Sequence, residues 1–186
     1  QEAEAPGDAI RIAVIAPRSG LPAGIKSALP DVARFFTDRV NAEGGLLGRP
    51  VDLRILDNAN TAIGARTAAE KAADLKVAAV IGGQRSSNAL TMADTLQAAG
   101  IPMIAVGASH PDITRAGDYI FRINYTDAFQ GAALARFARE HLKAASAALM
   151  VNIGNTYSPF LADVFAEQFQ QLGGSVMMRQ DYLPDV

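Results

Sequence analysis

Two stretches of the sequence gather residue types that hold small anionic molecules. Val80-Ile81-Gly82-Gly83-Gln84-Arg85-Ser86-Ser87-Asn88-Ala89 runs from apolar residues into glycine, a cation and hydroxyls. Gly100-Ile101-Pro102-Met103-Ile104-Ala105-Val106-Gly107-Ala108-Ser109-His110-Pro111 repeats the arrangement. Each reads as a short strand followed by a polar turn. Glycine lets backbone approach a ligand closely, and free N–H groups at a helix start favour a carboxylate. Ser86, Ser87, Asn88 and Ser109 stand where helices would begin, so plain helix capping competes with ligand contact. Arg85 could pair a ligand carboxylate or be a solvated surface arginine. Tyr157, in the polar turn Gly154-Asn155-Thr156-Tyr157-Ser158-Pro159, could stack on a ligand or edge the core of the next helix.

The elements that must position these turns follow a regular alternation. Strands are expected at Ile10–Ala16, Val51–Leu56, Val77–Ile81, Ile101–Val106, Asp118–Ile123, Ala147–Ile153 and Ser175–Leu183. Helices are expected between them. One starts at Ser27 or Asp31 and repeats Val32, Phe35, Phe36, Arg39 and Val40 at helical spacing. Others cover Thr61–Leu75, Asn88–Ala99, Thr126 or Asp127 to Leu142, and Phe160–Leu172. Phe129, Leu134, Phe137 and Leu142 are candidate buried positions of the fourth. Strands alternating with helices predict an α/β fold, a doubly wound parallel sheet with helices on both faces and right-handed crossovers. In such sheets ligands bind at the carboxyl ends of the strands. The strand–turn–helix pattern restarts after the fifth strand. This predicts a flexible tail over residues 1–9, a first lobe over 10–123, and the beginning of a second, incomplete lobe over 124–186.

Composition narrows the function classes. The chain has 186 residues, 49% of them hydrophobic, a net charge of −2 and no cysteine. Disulfides and thiolate chemistry are therefore excluded. The mild acidity offers no footprint for nucleic acid or an anionic membrane surface. No apolar run approaches the roughly 20 residues that a membrane helix needs, so a protein outside the membrane is expected. Gln1–Asp8 is small and polar, as in an exported protein after removal of its signal peptide.

Catalytic signatures are missing from the sequence. There is no dinucleotide-binding glycine motif after the first strand, no phosphate loop and no nucleophile elbow. The two histidines, His110 and His141, do not stand at metal-ligand spacing. His141 is expected to face solvent at a helix end, and His110 to be a solvated loop residue, with ligand contact as its second reading. No catalytic residue, metal or cofactor is expected. Asp57 is the carboxylate of the first lobe that follows a strand into a turn, so an α/β enzyme would have to use it; a cap is the simpler reading.

Several segments resemble one known family. Ser19-Gly20, Ala33-Arg34, Asn41-Ala42-Glu43-Gly44-Gly45-Leu46-Leu47-Gly48-Arg49-Pro50, Val80-Ile81-Gly82 with Ser86-Ser87, Gly100-Ile101-Pro102 with Ala108-Ser109-His110-Pro111, Phe121-Arg122 and Asp127-Ala128-Phe129-Gln130-Gly131 are similar to the periplasmic leucine/isoleucine/valine-type binding proteins of ABC importers. The likeness runs from about Ile10 to Pro184. It implies two α/β lobes joined by three crossing strands, a cleft between them, and binding without catalysis. It further implies that Ser86 and Ser87 meet a ligand carboxylate and that the Gly107 carbonyl and Ser109 hydroxyl meet an ammonium group. Tyr157 would close over the ligand. Arg85 and Ala108, in the same two turns, are further candidate ligand-binding residues.

Three residues depart from the family pattern. Ser109 replaces a common threonine, Arg85 adds a charge, and Ile25 stands where some relatives carry an aromatic lid. The later half of such proteins completes both lobes, so this chain should hold at most half a site. The resemblance implies a periplasmic or otherwise extracytoplasmic protein. It would capture an amino acid or small carboxylate for an ABC permease; a ligand-sensing domain of a regulator or receptor is the alternative.

Overall fold

A computed structural model describes residues 7–183. Most of the tail expected over residues 1–9, and Pro184–Val186 at the far end, lie outside them. Five strands form one parallel sheet: β1 (Ile10–Ala16), β2 (Val51–Asp57), β3 (Ala79–Gly82), β4 (Met103–Ala105) and β5 (Ile120–Arg122), in the order β2-β1-β3-β4-β5. Helices α1 (Leu29–Ala42), α2 (Ala62–Asp74) and α3 (Ser86–Ala98) connect the first four, and a short 3-10 helix, Pro111–Arg115, precedes β5. Helix α4 (Asp127–Glu140) then leads to a second parallel pair, β6 (Ser146–Asn152) and β7 (Ser175–Tyr182), joined by α5 (Tyr157–Gln171). The α/β class and the parallel sheet agree with the sequence reading.

The sheet turns in opposite directions from β1, to β2 on one side and β3 on the other. Right-handed crossovers then place α1 on one face and α2 and α3 on the other. The second face is the better buried. Ala13, Ile15, Val80, Met103 and Ala105 project from alternate strand positions into a cluster with Ala65, Ala69, Ala72, Met92 and Leu96 of α2 and α3. Alanine along α2 costs no rotamer entropy and lets the helix sit close to the strands.

The expected burial of the α4 face is corrected, and α1 shows the same exposure. In α1, Val32, Phe35 and Phe36 keep the helical spacing read from the sequence but are exposed. In α4, Phe129, Leu134 and Phe137 are exposed as well, as is Leu142 just beyond it. The periodicity marks an apolar face, but the described residues leave much of each of these side chains uncovered.

Local signals fix the helix ends. The Thr61 hydroxyl accepts from Gly64 N–H (2.9 Å) and starts α2, and the Thr126 hydroxyl accepts from Phe129 N–H (3.2 Å) and starts α4. Such caps stabilise a helix by about 1 kcal/mol. Helix α1 begins at neither capping candidate: Ala28 is its N-cap, and Pro30 occupies the first turn. Helix α4 packs on α5 through Gly131, where an added Cβ would stand 2.7 Å from Val164 Cγ1. No described helix is long and apolar enough to cross a membrane.

Candidate binding cleft

The polar turns that leave the strands converge. Those after β3, β4, β5 and β6 together line a cleft of about 490 Å³, within the range of small-molecule sites. The β3 turn contributes Gln84, Arg85, Ser86 and Ser87, and the β4 turn Gly107 and Ser109. Asn124 and Tyr125 follow β5, with Gln130 one turn into α4. Asn155 and Tyr157 come from the β6 turn. One rule of parallel sheets, ligand at the carboxyl ends of strands, accounts for every lining residue except Gln130.

The β3 turn is shaped for an anion. Gly83 takes a positive φ of 67°, and an added Cβ there would lie 2.9 Å from that of Ala89. Glycine therefore sets how tightly the strand passes into α3. The helix begins at Ser86, two residues earlier than Asn88, with Arg85 as an N-cap that makes no side-chain capping bond. Ser86 and Ser87 lie inside the first turn and do not cap it. The Ser86 hydroxyl accepts a long bond from His110 N–H (3.4 Å), which leaves its own proton to donate. Uncapped N–H groups, the helix dipole and hydroxyl protons together make a donor-rich end.

The β4 and β5 turns supply acceptors instead. The Gly107 carbonyl accepts from Asn124 Nδ2 (3.1 Å) and keeps a second lone pair. Asn124 Oδ1 is buried without a hydrogen-bond partner. Buried polar atoms are ordinarily satisfied, so this oxygen is suited to a donor that arrives with a ligand. The Ser109 carbonyl accepts from Asp127 N–H (3.0 Å) and, weakly, from Arg122 Nη1 (3.4 Å).

Behind Ser109 lies Asp127, fully buried, with neither carboxylate oxygen in hydrogen-bond geometry with a donor. Burial pushes its carboxyl above the ordinary value; the nearby Ser109 hydroxyl and the charges of His110 and Arg122 pull it down without offsetting this.

Tyr157 is the first residue of α5. Its hydroxyl accepts from Gln130 Nε2 (3.3 Å), which ties α4 to α5 at the mouth of the cleft. The β6 turn is stiffened from within: Asn155 Oδ1 accepts from Ser158 N–H (2.9 Å), and Asn152 Oδ1 from Gly154 N–H (2.8 Å).

Six of the seven residues singled out in the sequence thus face one cleft: Arg85, Ser86, Ser87, Gly107, Ser109 and Tyr157. Ala108 does not join them. Its methyl is buried in the core and its N–H donates to the Gly83 carbonyl (2.9 Å), which turns it away from the cleft. His110 is corrected too. It is not solvated: its side chain is 12% exposed, its ring lies 4.7 Å from that of Phe160, and Nδ1 accepts from Asp112 N–H to start the 3-10 helix.

Sequence reasoning missed Gln84, Asn124, Tyr125, Gln130 and Asn155 as wall residues. All but Gln130 lie in turns after strands, so the strand-end rule would have found them. Gln130 carried no separate signal.

Asp57, the carboxylate an enzyme would need, is a tie between loops. It accepts from Arg18 N–H (2.8 Å), Ser19 N–H (3.3 Å), the Ser19 hydroxyl (2.6 Å) and Ala59 N–H (2.9 Å). Burial pushes its carboxyl up, but the Ser19 hydroxyl and these N–H groups outweigh it and hold it down at about 2. Among the described residues no cluster of three or more His, Asp or Glu is placed to hold a metal.

Comparison with known proteins agrees with this fold. The chain is 30% identical over 157 residues to the Leu/Ile/Val-binding protein BraC3 of Rhizobium johnstonii, covering 84% of this chain and 42% of that protein. The solved leucine-binding protein LivK of Thermotoga maritima superimposes with a TM-score of 0.83 at 31% identity, over 94% of this chain and 49% of that one. LivJ of Streptococcus pneumoniae, solved with isoleucine, shares the fold with a TM-score of 0.86 at 24% identity, over 96% of this chain and 51% of that one. The chain therefore spans about half the length of the relatives it matches. The family model described as periplasmic binding protein matches residues 9–186, and the chain belongs to that family.

Proposed function

We propose that this chain is part of an extracytoplasmic solute-binding protein that captures an amino acid or related small carboxylate and passes it to an ABC permease. The five-stranded sheet, residues 10–123, would be one lobe, and residues 124–186 would begin the other. The observation that carries the reading is the pairing of opposite polarities in one cleft. The uncapped start of α3, with Ser86 and Ser87, suits a carboxylate. The Gly107 carbonyl and the unpartnered Asn124 Oδ1 suit an ammonium group. The names of the relatives, Leu/Ile/Val-binding and leucine-binding proteins, support the amino-acid class. Tyr157 sits where closure of the second lobe would bring it over the ligand, and closure of this kind is how two-lobed proteins signal occupancy.

The test is a double substitution, Ser86→Ala with Ser109→Ala, in the protein expressed from its complete reading frame. Ligands are found by thermal shift against amino acids and small carboxylates, then titrated by calorimetry. Hydrogen bonds to charged groups are worth about 1.5–3 kcal/mol each, so affinity should fall at least several-fold. An unchanged dissociation constant would overturn the site.

A further inference from the structure

The relatives' names point to aliphatic side chains, but the wall described here is not aliphatic. Its residues are amides, hydroxyls, two tyrosines, one glycine and one arginine, and no Val, Leu, Ile or Met lines it. It also holds no Asp or Glu.

The polar groups are segregated. Ser86, Ser87, Gly107 and Asn124 gather at the ends of β3, β4 and β5. Gln84 and Arg85 reach the other way, toward the loops after β1 and β2. The Gln84 Oε1 atom accepts from the Ser27 hydroxyl (3.0 Å), which leaves its NH2 group to donate. One Arg85 guanidinium nitrogen donates to Asn60 Oδ1 at 3.3 Å, a long bond to a neutral group. Asn60 is held in place by its own Nδ2, which donates to the Gly20 carbonyl (3.1 Å). No carboxylate pairs with Arg85 among the described residues. This end of the cleft therefore offers an amide donor and a guanidinium whose remaining N–H groups lack an anionic partner. An aliphatic ligand side chain placed there would desolvate both and satisfy neither. A ligand carboxylate would accept from both, with the fork geometry arginine provides.

Resting on the binding role proposed above, we infer that the ligand is a small dicarboxylate, with its first carboxylate at the start of α3 and its second at Arg85 and Gln84. An acidic amino acid and a plain dicarboxylic acid share this chemistry. They differ in the ammonium group that Asn124 Oδ1 and the Gly107 carbonyl would take. Sites that hydrogen-bond a polar ligand reject the apolar analogue strongly, so the ranking of ligands is the readout.

The experiment titrates the protein from its complete reading frame with L-glutamate, glutarate and L-leucine by calorimetry. At least one of the first two should bind ten-fold or more tightly than leucine. Tighter binding of glutamate than glutarate assigns an amino acid, and equal binding assigns a plain diacid; either upholds the second carboxylate. Arg85→Leu should weaken the dicarboxylates ten-fold or more relative to leucine and so remove that preference, while Arg85→Lys should retain part of it. Leucine binding best, none of the three binding, or Arg85→Leu weakening all three alike would each overturn the inference. The last result would mean that Arg85 holds the carboxylate common to every ligand. Ser86→Ala separates the two proposals. If it weakens leucine while leucine is preferred, the site stands and the dicarboxylate falls. If it changes no affinity, the site itself falls.

Discussion

Asp127 sets a pH dependence that a single substitution can isolate. The folded protein buries both carboxylate oxygens without a well-formed hydrogen bond, and burial outweighs the nearby Ser109 hydroxyl, so the raised pKa means that the native state favours the proton more than the unfolded chain does. Its contribution is fully favourable below the ordinary carboxylate value of 3.8 and is lost as pH rises from there through the raised native value. Asp127→Asn keeps the shape and removes the titration, so denaturation midpoints should fall less over that window than in the wild type. An identical slope in both proteins would contradict this. Because Asp127 N–H holds the Ser109 carbonyl, the Asn variant should also keep ligand affinity within a few-fold at neutral pH. Asp57 carries the opposite sign. Its carboxyl lies at about 2 rather than 3.8, so its stabilisation is present above 3.8 and disappears as pH falls toward 2. The residue is exposed, and with solvent screening allowed for, the effect is about 1 kcal/mol. Acid titration of Asp57→Asn should therefore show a wild-type advantage at pH 7 that vanishes near pH 2.

At the scale of elements, the cleft depends on α4 and α5 staying in contact, since these helices carry Gln130 and Tyr157. Gly131 permits that contact: besides Val164 Cγ1, an added Cβ would meet Phe165 N at 3.1 Å. Gly131→Leu should lower stability by about 1–3 kcal/mol through overpacking, read as a drop in the urea midpoint. Gly131→Ala should already lower the midpoint, because its Cβ is the atom that meets Val164, and Gly131→Leu should lower it further; no drop in either variant would contradict the crowding. The strands and the polar turns were legible in the sequence because alternation of apolar runs and turn residues is local chemistry. The start of α3 was read two residues late, since serine is as good a cap as a first-turn residue and only the backbone geometry separates the two. His110 was misplaced for a different reason: its burial comes from Phe160, fifty residues further on, and no local pattern announces such a contact. The faces of α1 and α4 were legible as apolar but not as exposed, because burial depends on what packs there.

That exposure governs the behaviour of the whole molecule. The sheet face that carries Val14, Ile81, Ile104 and Phe121 in register is covered beside β1 and open toward β5: Val14 is fully buried and Phe121 is 52% exposed. Helix α1, which lies over β1 and β2, turns Phe35 (63% exposed) and Phe36 (55% exposed) outward. Soluble monomers rarely leave contiguous apolar surface of this kind open, and the relatives carry about as much chain again. The 186-residue chain expressed alone should therefore self-associate and bind a hydrophobic dye. Light scattering after size exclusion should give a mass above 19.5 kDa. Replacing Phe35 and Phe36 together by glutamate should reduce the association. It should leave the melting temperature nearly unchanged, because neither side chain belongs to the buried core and each therefore gives up little burial energy on substitution. A wild-type chain that runs as a monomer and binds no dye would contradict the argument. It would mean that these aromatics close against the molecule itself in solution.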